Sequence, residues 1–247
     1  MKKSTGAGVA AIALLLAGCG GEGGNASSNV NLQAPLKQVP APNNGDWTQV
    51  VNTTPEGGFV MGNPNAPVKL IEFASMTCPH CKAFADAGSA RLRDVYVRSG
   101  QVSFEFRNYV LNPLDAAASL VARCQGPSAF FRLTEQLFAE QENWTRNASE
   151  EEQQQVAQLP EAQQVGAWTR AAELDTFFRQ RGVPEARINQ CLSNTQELQR
   201  LATMRSQAME QFPSIPGTPA FAINGRLVPD ATTWEQLEPA LRERIGG

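Results

Sequence analysis

The chain has 247 residues, 42% of them apolar, with a formal charge of −3 and five cysteines. That length suits one sizeable domain, or a compact domain carrying a large insertion. With no basic block and no acidic tail, charge names no partner, and nucleic-acid binding is not expected.

The first predicted element is an export signal over residues 1–18. Lys2 and Lys3 precede the apolar run Val9 to Leu16, far short of the about 20 residues that cross a bilayer. The run ends in Leu16-Ala17-Gly18-Cys19, which resembles the lipobox of bacterial lipoproteins, where the signal is cut before the cysteine and that cysteine receives lipid. This implies lipidation at Cys19 and a protein of the cell envelope, anchored to a bacterial membrane and facing the periplasm or the extracellular side. Ordinary cleavage leaving a free Cys19 is the alternative. Parity favours lipidation, since four cysteines then remain, enough for two pairs outside the reducing cytosol. Residues 19–45, mostly Gly, Asn, Ser, Pro and Gln, cannot bury enough surface to fold and read as a flexible tether. A coil of this kind holds its cargo roughly 25–30 Å from the anchor.

A first folded part is expected over 46–113. Behind the turn-like Gly62 to Pro67, the run Val68-Lys69-Leu70-Ile71-Glu72-Phe73 reads as a buried strand. Cys78-Pro79-His80-Cys81 follows, holding the only histidine of the chain. From Cys81, the residues Phe84, Ala85, Gly88, Leu92, Val95 and Tyr96 form one stripe of an amphipathic helix to about Arg98. The two cysteines therefore sit where a strand feeds a helix N-terminus. Unpaired N–H groups and the helix dipole there favour a thiolate at Cys78. Pro79 suits the first turn, having no N–H to leave unsatisfied. His80 can add a donor or a positive charge near the sulfur. Glu72 is open to two readings: a strand-end carboxylate that reaches water or pairs with Arg107 or Lys69, or a buried carboxyl that moves the proton of Cys81.

A second strand is predicted from Gln101 to Arg107, alternating Val102, Phe104 and Phe106 with polar residues. Residues 114–211, rich in Ala, Gln, Glu, Leu and Arg, read as a helical insertion of four or five helices. The last part, 212–247, carries Ile215-Pro216-Gly217-Thr218-Pro219, a strand, the Asn224-Gly225 hairpin signal, another strand and a final helix lined by Trp234, Leu237, Leu241 and Ile245. Trp144, Trp168 and Trp234 read as packing residues, and Glu150-Glu151-Glu152 as a solvated helix start. Asn143-Trp144-Thr145 and Asn147-Ala148-Ser149 match the glycosylation pattern by chance.

This order, together with Cys78-Pro79-His80-Cys81 and Gly217-Thr218-Pro219, resembles the DsbA-like branch of the thioredoxin superfamily from about Gly57 onward. The resemblance implies an α/β thioredoxin fold with a helical insertion domain. It implies Cys78 as nucleophile, Cys81 as resolving thiol, Pro79 and His80 as the dipeptide of oxidising members, and Pro219 as a cis residue beside the sulfurs. An extended substrate would pair with the backbone of Thr218. An X-Pro bond tolerates cis far better than other peptide bonds. Thr218 also occurs in isomerases and reductases, which leaves the direction of electron flow open. Cys124 and Cys191 each fall on an inward helical face; a structural disulfide between them is preferred, as some relatives carry one, and buried free thiols are the alternative.

The expected function is thiol:disulfide oxidoreductase acting on exported cysteine-containing proteins, in the oxidising direction, with a membrane quinone-linked partner restoring the disulfide and no cofactor of its own. A reductase or isomerase for particular exported clients is the nearer alternative. A metal-binding or metal-delivery lipoprotein using Cys78 and Cys81 is the more distant one, with no further ligand cluster in the sequence to complete a four-ligand site.

Overall fold

The computed structural model describes residues 1–3 and 31–246. Cys19, most of the expected signal and the first half of the expected tether lie outside the described residues.

Six strands form one mixed sheet in the order β1-β2-β4-β3-β5-β6: β1 (Val51–Thr53), β2 (Phe59–Gly62), β3 (Val68–Ala74), β4 (Val102–Asn108), β5 (Ala220–Ile223) and β6 (Arg226–Leu227). The parallel pair β3 and β4 lies at the centre, running in register from Val68 beside Val102 to Ala74 beside Asn108. Strand geometry sends alternate residues of β3 to opposite faces. Val68 and Leu70 pack with Phe84, Leu92, Phe221, Trp234 and Leu237, while Ile71 and Phe73 pack with Tyr109, Ala208 and Phe212. Glu72 shares the face of Leu70 and so points toward the helix that follows the CxxC.

That helix opens as α1 (Pro79–Phe84) and continues through wider π-type turns at Ala85–Ser89 and Leu92–Val97. Gly88 lies where a Cβ would come within 2.6 Å of Trp234, so the absent side chain lets the final helix α10 (Trp234–Ile245) close on it. At the sheet edge Asn224 and Gly225 both take positive φ, as a two-residue hairpin turn requires. The Asn224 side chain also accepts from the Lys69 amide at 2.8 Å and donates to Pro67 O at 3.1 Å, tying the hairpin to the start of β3.

Strands β1 and β2 have no counterpart in the sequence reading. They are three and four residues long, too short for a period to emerge, and β2 ends in Gly62, where a Cβ would meet Val102 O at 2.9 Å.

Between β4 and β5 the described chain forms eight helices, not the expected four or five: α2 (Pro113–Cys124), α3 (Pro127–Ala139), α4 (Gln141–Arg146), α5 (Glu150–Ala157), α6 (Glu161–Ala171), α7 (Leu174–Gln180), α8 (Glu185–Leu192) and α9 (Thr195–Gln211). Helix-forming composition hid the breaks. Gly126, Glu173 and Gly182 take positive φ, and Pro127, Pro160 and Pro184 stand at or beside helix starts.

The expected free tether to residue 45 is corrected for its described part. Leu32 O accepts from Arg91 and Arg242 at 2.9 and 2.8 Å, and Ala34 O from Arg242 at 2.6 Å. Lys37 O accepts from Gln101, Val39 N donates to Ser99 O, and Val39 O accepts from the Trp47 indole. Leu36 also packs against the core beneath α10, and the carbonyls of Leu32 and Ala34 satisfy guanidinium groups that the domain presents.

Candidate active site

The site begins with the way β3 ends. Ser75 to Thr77 leave the sheet, and Cys78 takes extended angles (φ −81°, ψ 120°) as the N-cap residue of α1, with Pro79 as the first helical residue. The Lys82 amide donates to Cys78 O at 3.2 Å and closes the first turn. The amides of His80 and Cys81, which open the helix, are therefore available to the Cys78 sulfur.

From the other side, 140 residues away in sequence, comes the loop before β5. Its Thr218-Pro219 peptide bond is cis. The Cys78 thiol donates to Thr218 O at 3.2 Å. Cys78 keeps 6% of its surface exposed and Cys81 none; both are free thiols.

Two sulfurs one turn apart have opposite electrostatics. Cys78 is lowered from 9.0 to about 5: the Cys81 thiol donates to its anion, burial opposes this, and the Thr218 side chain and the amides of Cys81 and His80 add further donors. Cys81 is pushed well above its ordinary value, first by burial and then because its proton serves Cys78 and the charges of Glu72 and Cys78 lie near. His80 is exposed, and what it gives the sulfur is its backbone amide.

Glu72 is 3% exposed, and its Oε1 has no hydrogen-bond partner. Burial first, and then the Cys78 charge, raise it from 4.5 to about 8. Of its two sequence readings, the surface one is corrected. Arg107 pairs with Glu105 at 2.6 Å, and Lys69 is exposed on the opposite face of β3. The buried carboxyl is instead coupled electrostatically to Cys78 and Cys81.

Asn112, Asp115 and Gln141, which the sequence reading passed over, also touch the loop before Cys78. The pattern Asn112-Pro113-x-Asp115 marks a helix start, but no local signal shows what its side chains hold. Away from the site, Cys124 at the end of α2 is bonded to Cys191 of α8, with an S–S distance of 2.07 Å. Among the described residues no helix is long and apolar enough to cross a membrane.

A mixed sheet whose central strand delivers a CxxC to a helix N-terminus, opposite a cis proline, has the architecture of a thioredoxin-type domain, here with a helical insertion. Comparison with known proteins agrees. The family model described as Thioredoxin matches residues 54–243, and the chain belongs to that family. The solved structure of a protein-disulfide isomerase from Novosphingobium aromaticivorans is 31% identical, with a TM-score of 0.72, over 76% of this chain and 97% of that one. Wolbachia pipientis alpha-DsbA1 shares the fold at 20% identity and a TM-score of 0.59, over 84% of this chain and 94% of that one. A Rickettsia prowazekii (strain Madrid E) protein named as a protein-disulfide oxidoreductase is 24% identical over 179 residues, 72% of this chain. The match spans only 58% of that relative's own length.

Proposed function

We propose that the chain is a thiol:disulfide oxidoreductase that exchanges disulfides with exported cysteine-containing proteins, in the oxidising direction. One arrangement carries this reading: a free Cys78 at the N-cap of α1 lies against the cis Thr218-Pro219 loop with buried Cys81 one turn on, and the donors around it lower its thiol to about 5 while Cys81 is pushed up. In the oxidised enzyme a client thiolate attacks Cys78 Sγ, the Cys78–Cys81 bond breaks, and Cys81 leaves as a thiolate that takes a proton from the Glu72 carboxyl. A second client thiolate then attacks the client sulfur of the mixed disulfide and expels Cys78 as a thiolate. Two electrons pass from client to enzyme. Because the leaving Cys78 anion is stable without a proton, the reduced enzyme is favoured and the client is driven to its disulfide.

In this reading Pro79 sets the helix start, the His80 amide and the Thr218 side chain stabilise the anion, and Pro219 shapes the loop on which an extended client pairs. A quinone-linked membrane partner receives the electrons. Lipid at Cys19 holds the enzyme to the envelope, after a signal ending at residue 18. A second reading, an isomerase or reductase for particular clients, is favoured by the 31% identical neighbour titled a protein-disulfide isomerase and by Thr218 before the proline.

Cys81→Ser should trap clients as mixed disulfides on Cys78, and Cys78→Ser should trap none. Equilibration of the wild-type pair with glutathione gives the direction: a potential near about −120 mV marks an oxidant, and one near about −270 mV would reverse the proposed direction.

A further inference from the structure

The loop that delivers Cys78 has little hydrogen bonding of its own. Its one internal backbone bond is Cys78 N to Ser75 O at 3.2 Å. Thr77 N donates to the Ser75 hydroxyl at 3.2 Å, and the other bonds reach the loop from the residues that open α2 and α4. Met76 N donates to Asp115 Oδ1 at 2.9 Å. The Gln141 side-chain amide donates to Met76 O at 2.8 Å and to Cys78 O at 2.9 Å. Asn112 donates to the Thr77 hydroxyl at 3.0 Å. Met76, Asp115 and Gln141 are all buried, so no solvent replaces these partners.

We propose that Gln141 and Asp115 are positioning residues for the reaction: the insertion clamps the backbone from Met76 to Cys78 and thereby fixes the sulfur against the Thr218 loop and the amides of α1. Each clamp residue is itself fixed. The Asp115 backbone N–H donates to Asn112 Oδ1, and Asp115 Oδ2 accepts from Leu111 N, both at 2.9 Å. Gln141 is the first residue of α4, whose Trp144 is buried and donates to Leu137 O. A thiolate gains from N–H donors only when they point at it, and hydrogen bonds weaken steeply with misalignment. The clamp therefore acts on Cys78 without touching its sulfur. It also gives the insertion a task in the chemistry beyond covering the sheet.

The inference rests on the exchange reading, but its decisive measurement does not. The thiolate absorbance of reduced protein is titrated to give the Cys78 pKa, and the equilibrium with glutathione is measured alongside. Gln141→Met keeps the side-chain length and removes both donors. It should raise the Cys78 pKa by about one unit or more and move the glutathione equilibrium about tenfold toward the oxidised enzyme. Trp144→Phe loosens the same helix without touching the loop; it should lower Tm and leave the Cys78 pKa in place. If Gln141→Met is too unstable to purify, Gln141→Asn, whose amide is drawn back by one methylene, is measured instead and judged by the same outcomes. A Cys78 pKa unchanged in a folded Gln141 variant, or moved as far by Trp144→Phe, overturns the clamp. A wild-type protein with the low pKa but no client exchange would overturn the function and leave the clamp standing.

Discussion

Glu72 has the side chain whose charge the fold least accommodates, buried on the α1 face of β3 with Oε1 unpartnered. Its folded pKa of about 8 stands above the ordinary 4.5, so its contribution to stability is fully present below the lower value and is lost as pH rises through the upper one. Glu72→Gln removes that titration. In the reduced protein the variant should therefore gain on the wild type between about pH 4.5 and pH 8, by roughly 2–4 kcal/mol at the alkaline end. Urea unfolding at several pH values checks this, and a difference that does not vary with pH would mean that Glu72 ionises in the fold as readily as in the unfolded chain. At this scale the sequence was informative where chemistry is local. The CxxC, its proline and its helix terminus lie within one short stretch. The choice for Glu72 was not local, because it turns on Arg107 preferring Glu105, two residues along its own strand.

Elements were legible where a period had room to repeat. Strand β3, strand β4, the CxxC helix and the Asn-Gly hairpin each carry their own pattern. The short strands β1 and β2 and the joints between insertion helices do not, because three or four residues fit any period. The segment from Leu32 to Val39 was misread for a different reason. Composition reports whether a segment can fold alone, whereas this one docks on the rest of the domain through its backbone groups and Leu36. Arg242 is the centre of that attachment: it donates to Leu32 O, Ala34 O and the Tyr96 hydroxyl, while Tyr96 and Arg91 both donate to Glu238. Arg242→Ala should cost about 2–4 kcal/mol in the full chain. Deleting residues 31–40 as well should cost much less than the sum of the two changes, since they share the same bonds. Additive losses in chemical denaturation would show that the segment and Arg242 act independently.

The whole molecule joins parts that the sequence keeps far apart. Cys78 meets Thr218 across 140 residues, and only the family resemblance pointed to that meeting, since no spacing rule brings a Thr-Pro loop to a distant CxxC. The Cys124–Cys191 bond spans 67 residues and ties α2, which carries Asp115, to α8. Closing a loop of that length restricts the unfolded chain, and replacing both cysteines by alanine should lower stability by about 2–4 kcal/mol while Cys78 and Cys81 continue to exchange. Equal denaturation midpoints for the two proteins would assign that bond no such role.

The attachment from Leu32 to Val39 also has a directional meaning. Val39 and Lys37 are fastened beside Ser99 and Gln101, where β4 begins, and Cys78 lies beyond the opposite end of the neighbouring parallel strand. The leading segment of the described fold and the CxxC therefore occupy opposite poles of the sheet, so whatever is joined ahead of Leu32 leaves the domain on the side away from Cys78.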